Sequence, residues 1–255
     1  MRILITNDDG INAIGIKVLV KAAVERGHQV VVSAPSNQCS ANSQHITLDK
    51  PLLVHPVAWE GVEAYAVDGT PSDCARLGPH LTDEKIDICV SGINRGENTG
   101  AGIYYSGTVS AARDAAMLYI PAIASSLMFG GTQEGLDALA SFTIETAEKV
   151  LAMPFPRCGV LNINAPNGHP DTWKKPVVCP ISSAYFTDGY VRRVSPLGQV
   201  YYWLGYENGD KKDAIHMEAH SPGSDAYMLK EGHITLTMLG EYGDRNELLH
   251  MLEQP

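Results

Sequence analysis

The apolar positions of this chain switch repeatedly between unbroken runs and helical spacing. Ile3, Leu4 and Ile5 stand in a row, which predicts a strand over residues 2–6 buried on both faces. Ile14, Val18, Leu19, Ala22 and Ala23 then recur at the helical period. Val30, Val31 and Val32 predict a second strand over 29–34, ended by Pro35. Residues 46–54 and 63–67 read as extended excursions, 71–81 as a helix and 86–91 as another buried strand. An alanine-rich helix is predicted over 106–118, a short strand over 122–126, a long amphipathic helix over 132–152 and a strand over 160–163. Strands alternating with helices predict an α/β fold, a mostly parallel sheet with right-handed crossovers and helices on both faces.

The pattern changes near residue 176. Residues 191–204 and 214–218 read as strands with polar turns such as Glu207-Asn208-Gly209-Asp210, and Tyr201, Tyr202, Trp203 and Tyr206 cluster there. A helical turn over 224–229 and a strand over 233–239, alternating through Ile234, Leu236 and Met238, close the pattern. The expected organisation is a core over 1–183 and a β-hairpin-rich C-terminal extension over 184–255. Its aromatic stretch suits an oligomer contact, and its final helix and strand return to the core.

Chemistry-bearing residues fall where predicted strands end. Asp8 and Asp9, in Asn7-Asp8-Asp9-Gly10, follow the first strand. Ser40 lies in the loop after the second, and Asn94, in Ser91-Gly92-Ile93-Asn94, follows the strand over 86–90. Parallel strands release their loops at one sheet edge, where open α/β sheets bind ligands. Adjacent carboxylates repel unless a proton or a cation lies between them. Carboxylate, hydroxyl and amide oxygens are hard donors that suit Mg²⁺, Mn²⁺ or Ca²⁺. Taken singly, each residue also suits an ordinary turn or cap; their convergence is what points to a metal. The stretch from Gly92 to Gly102 is dense in glycine, and Tyr105-Ser106-Gly107-Thr108 then opens a helix. Glycines permit close backbone approach and a helix start attracts anions, so this reads as a phosphate cradle, with Ser106 and Thr108 adding hydroxyls. It is no Walker loop, because no Gly-Lys-Ser/Thr follows. Gly69-Thr70-Pro71-Ser72-Asp73-Cys74 reads as a structural strand-to-helix turn.

Composition narrows the classes. The 255 residues are 44% apolar, enough for a large buried core, and the formal charge of −10 argues against binding a nucleic-acid polymer. No apolar stretch approaches the roughly 20 residues that span a bilayer, so no membrane partner is expected. The short apolar run at the start does not read as a signal peptide. Five cysteines without a C-x-x-C pair predict reduced thiols and a cytoplasmic location.

The chain resembles the stationary-phase survival protein (SurE) family of metal-dependent 5′-nucleotidases. The resemblance runs through Ile3-Leu4-Ile5-Thr6-Asn7-Asp8-Asp9-Gly10, Ala34-Pro35 with Ser40 and Ile46-Thr47, and Gly69-Thr70-Pro71-Ser72-Asp73-Cys74. It continues through Val90-Ser91-Gly92-Ile93-Asn94-Arg95-Gly96, Tyr105-Ser106-Gly107-Thr108-Val109 and Leu161-Asn162-Ile163-Asn164-Ala165-Pro166, with a weaker echo at Ser224-Asp225, Gly232 and Ile234-Thr235. It implies a Rossmann-like core and a single divalent cation, Mg²⁺ or Mn²⁺, held by Asp8, Asp9, Ser40 and Asn94. It also implies hydrolysis of nucleoside 5′-monophosphates, with 3′-monophosphates and polyphosphate as further substrates, and a homodimer or homotetramer. Family members often carry proline where Ile14 stands and glutamate-glycine where Asp114-Ala115 stands, and the loop at Cys39-Ser40-Ala41 lacks their usual arginine or glycine. These departures bear on substrate preference and remove no proposed ligand.

The expected reaction is metal-assisted phosphomonoester hydrolysis. Asp8 and Asp9 hold the ion, and the less engaged carboxylate acts as base or nucleophile, two roles the sequence leaves open. Asn98, Ser106 and the amides of Gly107 and Thr108 hold the phosphate. Two rival readings use the same fold: a nucleotide-dependent transferase, and a module that senses metal and nucleotide without turnover.

Overall fold

The structure, a computed structural model, describes residues 1–183, 189–204 and 221–240. Its centre is a nine-stranded sheet. The first strands are β1 (Arg2–Thr6), β2 (Gln29–Pro35), β3 (Val54–Pro56), β4 (Glu63–Val67) and β5 (Ile88–Arg95). They are followed by β6 (Ala122–Leu127), β7 (Val160–Ala165), β8 (Lys174–Val178) and, late in the chain, β11 (His233–Leu239). Across the sheet the order is β3-β4-β2-β1-β5-β6-β7-β11-β8. From β4 to β7 all neighbours run parallel, while β3 and β11 are antiparallel to β4 and β7. The stretch β4-β2-β1-β5-β6-β7 is the doubly wound order, and it reverses direction between β1 and β5.

Helices cover both faces in two pairs. Helix α1 (Ile14–Glu25) packs beside α4 (Gln133–Leu151), and α2 (Pro71–Leu77) beside α3 (Gly107–Met117). Strand residues alternate between the layers: Ile3, Ile5, Val30, Val32, Ile88 and Val90 join α1 and α4, while Leu4, Val31 and Cys89 join the α3 side. Both faces being covered explains the unbroken apolar runs of β1 and β2.

Local chemistry sets the helix starts. At α2, Thr70 and Asp73 form a reciprocal capping box with Pro71 in the first turn, and Asp73 also accepts from the Thr47 amide and hydroxyl. This turn is structural, as its residues indicate. Ser106 caps α3 by accepting from the Val109 amide, and Thr132 caps α4 by accepting from Gly135.

The boundaries shift in places. Residues 71–81 form α2 and then a separate 3₁₀ turn over Gly78–His80. The strand expected over 86–91 runs on to Arg95, so Asn94 sits on the end of β5 and not in a loop after it. Residues 46–53 form no strand, and β8 is one the apolar pattern missed. Strands β9 (Tyr190–Val194) and β10 (Val200–Leu204) pair as an antiparallel hairpin in a sheet of their own. Helix α5 (Asp225–Lys230) and β11 return to the main sheet, with β11 seated between β7 and β8. The strand expected over 214–218, with Tyr206 and the turn at 207–210, lies outside the described residues.

Helix α1 lies close to β5 because Gly15 has no side chain. A Cβ there would meet the Ile93 carbonyl oxygen at 2.0 Å, backbone against backbone with nothing flexible to yield. Gly15→Ala is expected to destabilise the protein by at least about 3 kcal/mol in urea unfolding. Gly240→Ala, where an added Cβ meets nothing within 4 Å, should stay within about 0.5 kcal/mol of the parent.

Candidate active site

The Asp8-Asp9 turn is built by its neighbours. Asn7 closes it in both directions, donating through Nδ2 to the Gly10 carbonyl (3.0 Å) and accepting from the Gly10 amide (3.1 Å). Gly10 sits at φ +94°, a left-handed backbone that glycine adopts without strain. With Asn7 spent on the turn, Asp9 lines a cavity at the end of β1 while Asp8 is buried beside it. The loop after β2 is tied to the same turn, since the Cys39 amide donates to the Asp8 carbonyl at 2.7 Å. Gln38 reaches across it, its Nε2 lying 2.9 Å from Ser40 Oγ and 3.4 Å from Asp9 Oδ1.

Strand β5 supplies the other side. Thr6 on β1 stands opposite Ser91, so the acidic turn emerges beside the 92–95 end of β5. Asp9 accepts from the Arg95 backbone amide, one residue beyond Asn94. Asn94 commits its Nδ2 to the Gly96 carbonyl at 2.8 Å, which leaves its amide oxygen as the atom free to meet a cation. Asp8 and Asp9 thus stand at the point where the sheet reverses direction, with Ser40 linked to Asp9 through Gln38 and Asn94 next in sequence to the Arg95 amide that Asp9 accepts from.

Helix α3 points its first turn at Asp8. A Cβ on Gly107 would meet Asp8 Cβ at 2.7 Å, so helix backbone touches the carboxylate directly. The Thr108 hydroxyl donates to Asp8 Oδ1, and its backbone amide hydrogen-bonds the same carboxylate. Ser106 Oγ accepts from Val109 and retains its own proton to donate. Asn98 is held on every side: its amide donates to Asn164 Oδ1 (2.7 Å), its carbonyl accepts from Asn162 (2.8 Å) and Asn164 (3.2 Å), and its Nδ2 donates to Ser126 (2.8 Å). Asp225 on α5 extends the lock by accepting from the Gly100 amide at 3.1 Å. Sequence reasoning gave no role to Gln38 or to Asp225, the latter present only in the weak family echo at Ser224-Asp225. A glutamine inside a loop and an acid at a helix start carry no signal until the fold sets their partners.

The electrostatics call for a cation. Burial pushes the Asp8 carboxyl up to about 6, opposed by the Thr108 hydrogen bond and reinforced by the charge of Asp9. Burial also raises Asp9, opposed by the Arg95 amide and charge and by Gln38. Among the described residues no group of three or more His, Cys, Asp or Glu is placed to hold a metal. Two carboxylates, a hydroxyl and an amide oxygen fit Mg²⁺ or Mn²⁺, whose charge would remove the repulsion that burial imposes.

This strain has a measurable consequence. Below pH 3.8 Asp8 is protonated whether folded or not; between pH 3.8 and about 6 the unfolded chain releases the proton while the folded chain keeps it. Stability therefore falls as pH rises through that window, and above it the charged Asp8 costs roughly 3 kcal/mol. With metal chelated at pH 8, Asp8→Asn should melt at a higher temperature than the parent, and the gap should narrow at pH 5. Saturating Mn²⁺ should reverse the order by stabilising only the parent.

Comparison with known proteins agrees with the geometry. The family model described as Survival protein SurE matches residues 3–188. A 5′-nucleotidase SurE of Solidesulfovibrio magneticus is 41% identical over 244 residues, spanning 94% of this chain and 91% of its own. Its counterpart in Geobacter sulfurreducens is 40% identical over 240 residues, spanning 94% of this chain and 87% of its own. The crystal structure of the Sure protein from Aquifex aeolicus matches at a TM-score of 0.81 and 29% identity, covering 100% of both chains. By sequence along nearly its whole length, and by fold, this chain belongs to the SurE family.

Proposed function

We propose that this chain is a 5′-nucleotidase, hydrolysing nucleoside 5′-monophosphates to nucleoside and phosphate with one divalent cation, Mg²⁺ or Mn²⁺, held by Asp8, Asp9, Ser40 and Asn94. The observation that carries the reading is the buried carboxylate pair set against the first turn of α3 at the sheet's switch point. The names of the relatives support the same activity. A bound cation supplies positive charge against the phosphate oxygens as they gain charge. The first-turn amide of Gly107, the Ser106 hydroxyl and Asn98 receive the remaining oxygens, Ser106 and Asn98 aligned by their own hydrogen bonds, while the hydroxyl and amide of Thr108 brace Asp8.

The two carboxylates divide their work by environment. Asp8 is buried and engaged with Thr108, which suits it to holding charge in place. Asp9 is less enclosed and lines the adjoining cavity, so it is the carboxylate that meets an incoming water. In this reading Asp9 takes one proton from that water as its oxygen bonds to phosphorus, and the leaving nucleoside oxygen is protonated by solvent.

Phosphate release from AMP, GMP, CMP and UMP tests the proposal, with protein stripped of metal and then resupplied with Mg²⁺ or Mn²⁺. Release should require metal, and Asp9→Asn should lower turnover at least ~10³-fold at saturating metal. Near-normal turnover by that variant would sink the assignment. Binding without release would favour sensing, and release only with an added acceptor would favour transfer.

The β9–β10 hairpin supports a homo-oligomer, dimer or tetramer, as part of the same proposal. Tyr190, Tyr202 and Trp203 are all exposed on it, a density of bare aromatic surface that an isolated chain does not keep in water. The extension over 184–255 would then serve assembly. No helix among the described residues is long and apolar enough to cross a membrane, and the five cysteines are free, which suits a cytoplasmic setting. Light scattering at micromolar concentration should give a multiple of the 27.5 kDa chain mass. Substituting Tyr202 and Trp203 together by glutamate should return it to the monomer.

A further inference from the structure

Beside Asp9 the protein opens into a cavity of about 450 Å³, within the range that small-molecule ligands occupy. Its polar lining includes Asp9, Gln38 and Arg95, and its apolar lining includes Ile14, Met128 and Phe129. Phe129 is 80% exposed and stands two residues past the end of β6.

Its backbone is nonetheless firmly held. The Phe129 amide donates to Glu97 Oε2 and its carbonyl accepts from Asn167 Nδ2, both at 3.1 Å. The Met128 amide donates to the Ala165 carbonyl, and Gly131 closes the turn back onto Met128. The glycines that follow are required by this turn: Gly130 stands at φ +85°, and a Cβ on Gly131 would meet Leu127 Cδ2 at 2.4 Å. A fixed turn thus presents an uncovered ring at the sheet edge that carries the phosphate site.

We propose that Phe129 is the stacking platform for the nucleobase, with Ile14 and Met128 completing the apolar wall of a base subsite. This rests on the nucleotidase reading and extends it to base selection. Every base has a π-face, and a lone aromatic ring reads none of their edges, so all four nucleotides are accepted and purines, with more surface, are held more tightly. Phosphomonoesters without a ring system forgo the contact.

The test compares kcat and KM for AMP, UMP and ribose 5-phosphate in the parent, Phe129→Ala and Phe129→Tyr. Phe129→Ala should raise KM for AMP about tenfold with kcat little changed, leave ribose 5-phosphate within about twofold, and be rescued by tyrosine. Equal losses on AMP and ribose 5-phosphate, or none on either, overturn the subsite. Adenosine binding by calorimetry reads the subsite without turnover: affinity should fall about tenfold in Phe129→Ala. Unchanged affinity, or no binding to the parent, overturns it. A drop in oligomeric mass with unchanged adenosine affinity assigns Phe129 to a contact between copies and likewise overturns it. If the parent binds adenosine through Phe129 but releases no phosphate from AMP, the nucleotidase reading fails and the subsite stands.

Discussion

Two carboxylates on adjacent residues, drawn partly out of water, are the constraint around which this molecule is organised. Burial and mutual repulsion both oppose their charge, and the surroundings answer with short, directed contacts. Asn7 fixes the turn, Cys39 fastens the second loop to it, Gln38 spans Asp9 and Ser40, and Thr108 donates to Asp8. These contacts come from three segments, the turn itself, the loop after β2 and the first turn of α3, which meet where the strand order reverses between β1 and β5. Topology and electrostatics are one argument here, since another strand order would scatter the groups that make the pair tolerable.

Behind this turn lies a second layer of order made of neutral polar groups. Asn162, Asn164 and Ser126 stand on β7 and β6 where apolar residues would otherwise continue the core, and all are fully buried. Their role is visible in what they hold: the backbone and side chain of Asn98, at the start of the loop that leads to α3. Buried amides of this kind are costly unless satisfied; three of their hydrogen bonds go to this one loop residue, while Asn162 Oδ1 has no partner among the described residues. The loop is glycine-rich and would be loose alone; the asparagines on rigid strands give it a fixed position.

Much of this was legible in the residues themselves. Apolar runs marked β1, β2 and β5, and the adjacent acids at the end of β1 marked the candidate site. Asn94 was seen but misplaced, because Gly92 and Asn94 look like a turn, whereas pairing with Ser126 across β6 carries the strand through them. Strand β8 escaped because Lys174, Lys175 and Pro176 show no apolar alternation; it is an edge strand that needs only its partner β11. Phe129 and Gln38 could not be found by pattern, for their meaning depends on which loops lie beside them. The sequence offers Thr108 to a phosphate through both its hydroxyl and its amide, whereas in the fold both groups are directed to Asp8.

The late return of the chain has a consequence for how the protein comes into being. Asp225, fully buried on α5, accepts from the amides of Gly100 and Ser182, and β11 then slots between two strands made long before it. During synthesis from the N-terminus, the acidic turn and most of the parallel sheet can form while Gly100 still lacks its anchor. The newborn chain therefore passes through a stage with a sheet but with an unfastened phosphate loop. The anchor of this loop and the strand that fills the sheet between β7 and β8 thus both follow the parallel core in the order of synthesis, so order in the loop is added to a sheet already laid down.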